Sequence, residues 1–420
     1  MGQKRRVAVG DVKPGMYVVE LDRPWDQVPF EAPFELQGFF VESPFERERV
    51  GEFCNYVYID PQFGIGADSY LDDDDVATVK AKPVEANQSL FELESEILVP
   101  VYHDQLTVEE EIARTREILK DTHAVYADVI GDLKAGRTID TAAVKETVGS
   151  LVNSVIRNPD AASLLIKLKR ADDYTYLHAM AVCVNGLAMG RYVGLPESEL
   201  NFLGAALLLQ DVGKIKLPQS LLMKTRKLSD QDRRLLQIHV DASVIMLREN
   251  SGLDPASIGI IRSHHERHNG LGYPRGRKEA GIPITASVSG IVDSYVAMIS
   301  ERPYRTSKTS FQALMALYSE RDNLFPAAVV ENFIRCIGVF PVGSFVELSS
   351  GEVGVVISRN NFAQLKPHVM LVLDKKGKRL KEPKTVDLYK QDTNDDGEKW
   401  NISRVVDPSE YKLNPDDFFV

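Results

Sequence analysis

Three cysteines in 420 residues, Cys54, Cys183 and Cys336, are too few and too scattered for a disulfide framework and point to a reducing compartment. No uninterrupted apolar run approaches the ~18 residues that span a bilayer, which excludes a helical membrane protein. The opening MGQKRRVAVG is basic but leads into no apolar segment of signal-peptide length, and Arg6 stands where a myristoylation site needs Ser or Thr. A cytoplasmic protein with no membrane association is expected. Net positive charge is missing too. The formal charge of −11 argues against binding nucleic-acid polymers, although a local basic cluster still suits a small anion. Such a cluster is present, in Arg262, Arg267, Arg275, Arg277 and Lys278. Internal repeats and extended low-complexity segments are also lacking.

What is there is an ordinary globular composition, 44% hydrophobic and 26% charged, in a chain long enough for two or three domains. Residues 1–95 read as a β-rich domain: RVAVGDVKPGMYVVEL sets β-branched residues around turn residues, and FELQGFFV and YVYID are further strand candidates. The acidic run Asp72–Asp75 reads as a solvated loop. Residues 96–160 form a helical connector. One helix opens on a Thr107–Glu110 capping box, and another runs from Asp140 to Val155 and stops near Asn158-Pro159. Helical spacing dominates 161–338, with segments beginning near Ala161, Tyr174, Glu197, Asp230, Asp254, Ile284 and Ser310. Residues 339–420 alternate apolar and polar positions around glycine turns, the pattern of a small antiparallel sheet or barrel. The fold class is therefore multidomain α+β, an all-α core flanked by two β-rich regions.

Five of the eight histidines, His178, His239, His264, His265 and His268, fall in the helical region together with Asp211 and Asp293. A lone histidine is commonly a core or surface residue, but this concentration of imidazoles and carboxylates points to a metal site. Adjacent side chains on a helix project about 100° apart, so His264 and His265 can share a site only where the helix end faces it. The segment IRSHHERHNGLGYPRG joins this pair to a Gly-Leu-Gly-Tyr-Pro loop.

QDVGK, HHERHNGLGYP and VDSYVAMISERPYR together resemble the HD-GYP family, the HD-superfamily phosphodiesterases that hydrolyse cyclic di-GMP in bacterial signalling. The resemblance covers 161–338, and the flanking β-regions are similar to those that accompany such domains. It implies an HD-superfamily helical core and a regulatory N-terminal domain. It also implies metal-dependent opening of cyclic di-GMP to pGpG and GMP. His178 matches the first helical ligand, Asp211 the carboxylate bridging two divalent metals, and Asp293 the late carboxylate of the first site. His239, His264 and His265 match the second site. Lys214 matches a lysine on phosphate, although it also suits a cap at the preceding helix C-terminus. Tyr273 matches the loop tyrosine, Arg302 and Arg305 match positions facing guanine and phosphates, and Glu266 is expected to orient a histidine. Mixed imidazole and carboxylate donors suit iron, manganese or zinc. Cyclic di-GMP is the implied partner, with a diguanylate cyclase or another signalling protein, and a homodimer, as further expectations.

The chain departs from the family pattern at two positions. Gln210 stands where the pair has histidine, and a neutral amide is a poor substitute for imidazole, so the first metal site is expected to be weakened. Val296 replaces a second carboxylate near Asp293. No acid stands at Tyr174, one turn before His178, which argues against a third metal. The degenerate site leaves two readings: a phosphodiesterase, or an inactive receptor or adaptor for cyclic di-GMP.

Overall fold

The computed structural model describes residues 5–13, 16–21, 39–41, 47, 50, 54–59, 102–168, 174–224, 228–300, 308–360, 365–391, 393, 397, 400–411 and 413. Asp72–Asp75, Arg302 and Arg305 lie outside the described residues. The chain divides into two compact units, Met1–Ala86 and Asn87–Val420.

In the first unit, β1 (Arg5–Ala8), β2 (Tyr17–Leu21), β3 (Phe39–Phe40) and β4 (Tyr56–Ile59) form an antiparallel sheet of order β1-β4-β2-β3. Alternation along β4 buries Val57 and Ile59 and leaves Tyr56 and Tyr58 half-exposed. The Arg6 guanidinium lies 3.8 Å from the centre of the Tyr56 ring.

The second unit contains eleven α-helices among the described residues. α1 (Val108–Ala135) starts at a capping box in which Thr107 Oγ1 accepts the Glu110 N–H and Glu110 Oε2 accepts the Thr107 N–H. It ends at Gly136, whose φ of 68° is left-handed. α2 (Thr141–Arg157) begins on the Asp140 carboxylate, and Pro159 opens α3 (Pro159–Leu168). α4 (Tyr174–Tyr192) and α5 (Glu197–Leu209) form the middle of the core, where Met180, Cys183, Leu187, Leu203 and Leu207 are fully buried. Each large side chain buried there contributes about 1.5–3 kcal/mol. Around them lie α6 (Gln219–Leu222), α7 (Asp230–Asn250), α8 (Pro255–Ser263), α9 (Ile284–Ile299), α10 (Ser310–Ser319) and α11 (Ala327–Ile337).

Two of these were not expected from the sequence. α6 is a single turn, too short to show a period. α11 is framed by Pro326 and Gly338, but its start carries the β-branched pair Val329-Val330, which weakens a helical signature. No helix of the described residues is long and apolar enough to cross a membrane.

The C-terminal region forms a five-stranded antiparallel sheet of order β8-β7-β6-β5-β9, from β5 (Phe345–Leu348), β6 (Val353–Ser358), β7 (His368–Leu373), β8 (Arg379–Asp387) and β9 (Ile402–Val406). Its inner face, with Phe345, Val353, Val355, Ile357 and Val372, packs on Val108, Ala161 and Leu164 of α1 and α3. An ion pair between buried Asp160 and half-buried Arg359 pins the seam. Asp160 accepts Arg359 Nε at 2.7 Å through one oxygen and the Arg359 backbone N–H at 2.9 Å through the other. Arg359 also donates to the Cys336 carbonyl.

Candidate metal centre

The centre is built where α5 runs out. Beyond Leu209 the chain turns through Gln210 and Asp211 into a 3-10 helix, Val212–Lys216. This turn lies directly on α7 because residue 213 is glycine: a Cβ there would sit 2.1 Å from the His239 carbonyl oxygen and 2.5 Å from the Ser243 nitrogen. The Ser243 hydroxyl fastens the two, accepting the Gly213 N–H and donating to the Gln210 carbonyl, both at 2.8 Å. His239, on α7, is thereby brought against Asp211.

α8 ends at Ser263, so His264 and His265 follow at its C-terminus and both face inward, their rings 4.1 Å apart. The structure gathers the six side chains into two groups: His239, His264 and His265 in one, and His178, Asp211 and Asp293 in the other. Within each group the potential ligand atoms all lie within 4.8 Å of one another. Asp211 stands between them. Its Oδ1 is 3.3 Å from His239 Nε2, and its Oδ2 is 3.8 Å from His178 Nε2. His178 Nε2 donates to Asp293 Oδ1 at 3.0 Å.

Hydrogen bonds set the tautomers. His239 Nδ1–H donates to the Leu236 carbonyl at 2.6 Å, and His264 Nδ1–H to the Ile261 carbonyl at 2.7 Å. Both Nε2 lone pairs are therefore presented inward, the arrangement of metal-binding histidines. His239 Nε2, His264 Nε2 and Asp211 Oδ1 are buried without a hydrogen-bond partner among the described residues. His239 Nε2 and Asp211 Oδ1 approach without hydrogen-bond alignment, so two electron-rich atoms face each other in a buried site. Such a donor set fits a cation.

The electrostatics agree. Burial lowers the pKa of His264 to about 4, and burial likewise depresses His239 and, more strongly, His265, so all three stay neutral near pH 7. Burial alone would raise the Asp211 carboxyl, but the Lys214 ammonium and the imidazoles of His239, His178 and His264 hold it far below the usual range. Asp293 is also lowered: burial opposes ionisation, and the hydrogen bond from His178 outweighs it. Lys214 Nζ donates to Asp211 Oδ2 at 2.6 Å, one turn along the 3-10 helix.

The glycine-rich loop closes one side. Tyr273 stacks on His265 with ring centres 4.5 Å apart. Gly272 permits this approach, since a Cβ would fall 2.5 Å from the His265 carbonyl oxygen. Burial raises the Tyr273 hydroxyl well above its ordinary pKa, so it remains a donor. The expectation that Glu266 orients a histidine is corrected. Its buried carboxylate accepts the Arg275 and Arg277 backbone N–H groups at 2.8 and 2.9 Å, and it braces the loop instead. Arg267 is also structural, donating to the His264 and Glu266 carbonyls and lying over the Phe325 ring. His268 belongs to neither ligand group among the described residues.

Two residues at the centre escaped the sequence reading, Ser243 and Ser289. Ser289 lies on α9 one turn before Asp293, and its hydroxyl donates to Gln210 Oε1 at 2.6 Å. Gln210 Nε2 is buried with no partner among the described residues. A signal was available, because Thr285, Ser287 and Ser289 alternate with apolar residues at the start of α9, and Ser287 and Ser289 are buried there. Val296 is packed in the core, 1% exposed.

Sequence comparisons bear on the family of the chain. Residues 165–329 match the HD domain family, 4–144 a domain of unknown function (DUF3391), and 345–414 a KOW domain associated with HD domain. The cyclic di-GMP phosphodiesterase PA4108 of Pseudomonas aeruginosa is 30% identical over 410 residues, covering 96% of this chain and 94% of that protein. The cyclic di-GMP phosphodiesterase response regulator RpfG of Xanthomonas campestris is 32% identical over 179 residues, 41% of this chain and 47% of that one. A 3'3'-cGAMP-specific phosphodiesterase 2 of Vibrio cholerae is 32% identical over 158 residues, 37% of this chain and 30% of that one. With one relative aligned along nearly the whole chain and the helical core matched by the HD model, this chain belongs to the HD-GYP family of HD-domain proteins.

Proposed function

We propose that this chain is a metal-dependent phosphodiesterase that opens cyclic di-GMP to pGpG and GMP. The observation that carries the reading is Asp211, a buried carboxylate with one oxygen turned to the three-imidazole group and the other to the His178–Asp293 group. One cation would be held by His239, His264, His265 and Asp211, and another, more weakly, by His178, Asp211 and Asp293. The donor types suit iron, manganese or zinc. Bound there, such cations supply Lewis acidity and lower the pKa of water for in-line attack on the phosphodiester. Lys214 keeps Asp211 ionised and sets an ammonium beside the centre, where charge builds on the phosphoryl oxygens. The protonated Tyr273 hydroxyl can donate to substrate, and Glu266 holds its loop in place. Arg302 and Arg305 complete the proposed contacts to guanine and phosphate.

Protein loaded with manganese or iron should hydrolyse cyclic di-GMP. Asp211→Ala should lose on the order of a hundredfold or more of that activity. Equal product from both proteins, or none from wild type with metal confirmed bound, refutes the reading. One observation favours a second reading: the Gln210 amide oxygen already bonds to Ser289. On that reading the chain is a receptor for cyclic di-GMP, or an adaptor for a partner such as a diguanylate cyclase. Calorimetry showing binding without turnover would select it.

A further inference from the structure

Gln210 and Ser289 are 79 residues apart in sequence and only 2% and 0% exposed, yet they meet in a 2.6 Å hydrogen bond. The Ser289 hydroxyl engages the one atom of the Gln210 side chain that could ligate a cation, occupying one of its two lone pairs and fixing its direction. The remaining end, Nε2, carries only N–H donors and repels positive charge. The second handicap is on Asp211. Its Oδ2, the oxygen nearer His178, is held by the Lys214 ammonium at 2.6 Å, whereas Oδ1 faces His239 with no hydrogen bond among the described residues. One group therefore offers three imidazoles and a carboxylate oxygen with no hydrogen bond among the described residues. The other offers one imidazole and two carboxylates, with a lysine competing for one of them.

We propose that Ser289 is a positioning residue that commits Gln210 to the protein core, so that the centre loads its two cation positions unequally. The imidazole position keeps its metal. The His178–Asp211–Asp293 position takes a hard, oxygen-preferring cation such as Mn(II) from solution and releases it readily. Activity then follows the free concentration of that second cation, and the chain acts as a cation-gated enzyme. This inference rests on the two-cation reading above.

The test is metal stoichiometry. Wild-type protein saturated with metal and passed through a desalting column should retain about one equivalent per chain by elemental analysis. A second, weaker equivalent should appear on titration with Mn(II), followed by electron paramagnetic resonance. Gln210→His should retain about two equivalents. Ser289→Ala, which releases the amide oxygen, should tighten the second equivalent by roughly tenfold. Tightening is a response that simple damage to the fold would not produce. Thermal melting checks that each variant is folded, and if Ser289→Ala is not, wild type and Gln210→His still decide. Two equivalents firmly retained by wild type overturn the proposal, as does Ser289→Ala binding the second equivalent no better or more loosely. The loosened result would mean that the amide sits the other way round, with its oxygen already a ligand. Wild type that retains no metal under any loading overturns the metal centre itself, a distinct failure.

Discussion

Two buried polar clusters sit in the same helical unit and are finished to different degrees. At the seam with the C-terminal sheet, both Asp160 oxygens are taken, by Arg359 Nε, the Arg359 backbone N–H and the Ser358 hydroxyl, and the Asp160 N–H donates to Asn158. At the candidate metal centre, four polar atoms, on Gln210, Asp211, His239 and His264, are equally buried and have no hydrogen-bond partner among the described residues. Polar groups buried for structure are satisfied, because each orphan costs about 1–3 kcal/mol. Among the described residues, Asn332 Oδ1 and Trp400 Nε1 are isolated orphans of this kind, whereas the centre gathers four of them in one place, which marks where the protein is built for something other than itself.

That contrast can be broken from either side. The largest effect is expected at the satisfied cluster. Asp160→Ala leaves Arg359, only 20% exposed, without its carboxylate and should cost about 3 kcal/mol in chemical denaturation. Metal content per folded chain should not change, and a parallel loss of metal would erase the distinction. The unsatisfied cluster should respond to pH instead. Burial holds His264 at about 4 against an ordinary 6.5, so between those values the unfolded chain binds the proton that the folded one refuses. His264 alone should thus cost metal-free protein about 3 kcal/mol as pH falls from 6.5 towards 4, with the depressed His239 and His265 adding losses of the same sign. Asp211 and Asp293, depressed below their ordinary value, add their loss only at lower pH. A flat stability profile across that window would contradict the burial argument.

Smaller effects sharpen the comparison within the centre. Glu266→Ala removes the two backbone bonds that brace the loop and should raise KM for cyclic di-GMP by about tenfold, in line with ~1.5 kcal/mol of charge-assisted hydrogen bonding. Metal content should stay the same, since the Glu266 carboxylate hydrogen-bonds to the loop backbone and not to a ligand side chain among the described residues. A loss of metal with unchanged KM would return Glu266 to the role of orienting a histidine. Ser243→Ala should cost about 1 kcal/mol in thermal or chemical melts, the worth of a neutral hydrogen bond.

Much of this was legible beforehand where local chemistry dictates local structure. The Thr107–Glu110 box, Asp140 and Asp254 announced their helices, and alternation around glycine turns announced the C-terminal sheet. Asp211, His264, His265 and Asp293 are named by the QDVGK, HHERHNGLGYP and VDSYVAMISERPYR motifs, and His178 and His239 by the resemblance alone; the structure gathers all six into two groups. What the sequence hid were the pairings. Nothing periodic links Ser289 to Gln210, or Ser243 to the turn at Gly213, because a side-chain hydrogen bond leaves no pattern along the chain. Glu266 was misjudged for the same reason: adjacency to two histidines suggested a partner, but its direction is set by how the loop folds back.

The contact at Gly213 has a consequence for how the centre keeps its dimensions. Asp211 and His239 belong to separate elements, and no backbone path shorter than 28 residues joins them. Their spacing is kept by bare backbone pressed on backbone and by one hydroxyl that bonds to both sides of the glycine turn. The aperture of the centre therefore has the stiffness of a helix surface rather than of a loop, and the amide proton of Gly213 becomes its gauge. While the two surfaces stay shut that proton is withheld from water, and its rate of exchange counts how often the centre opens.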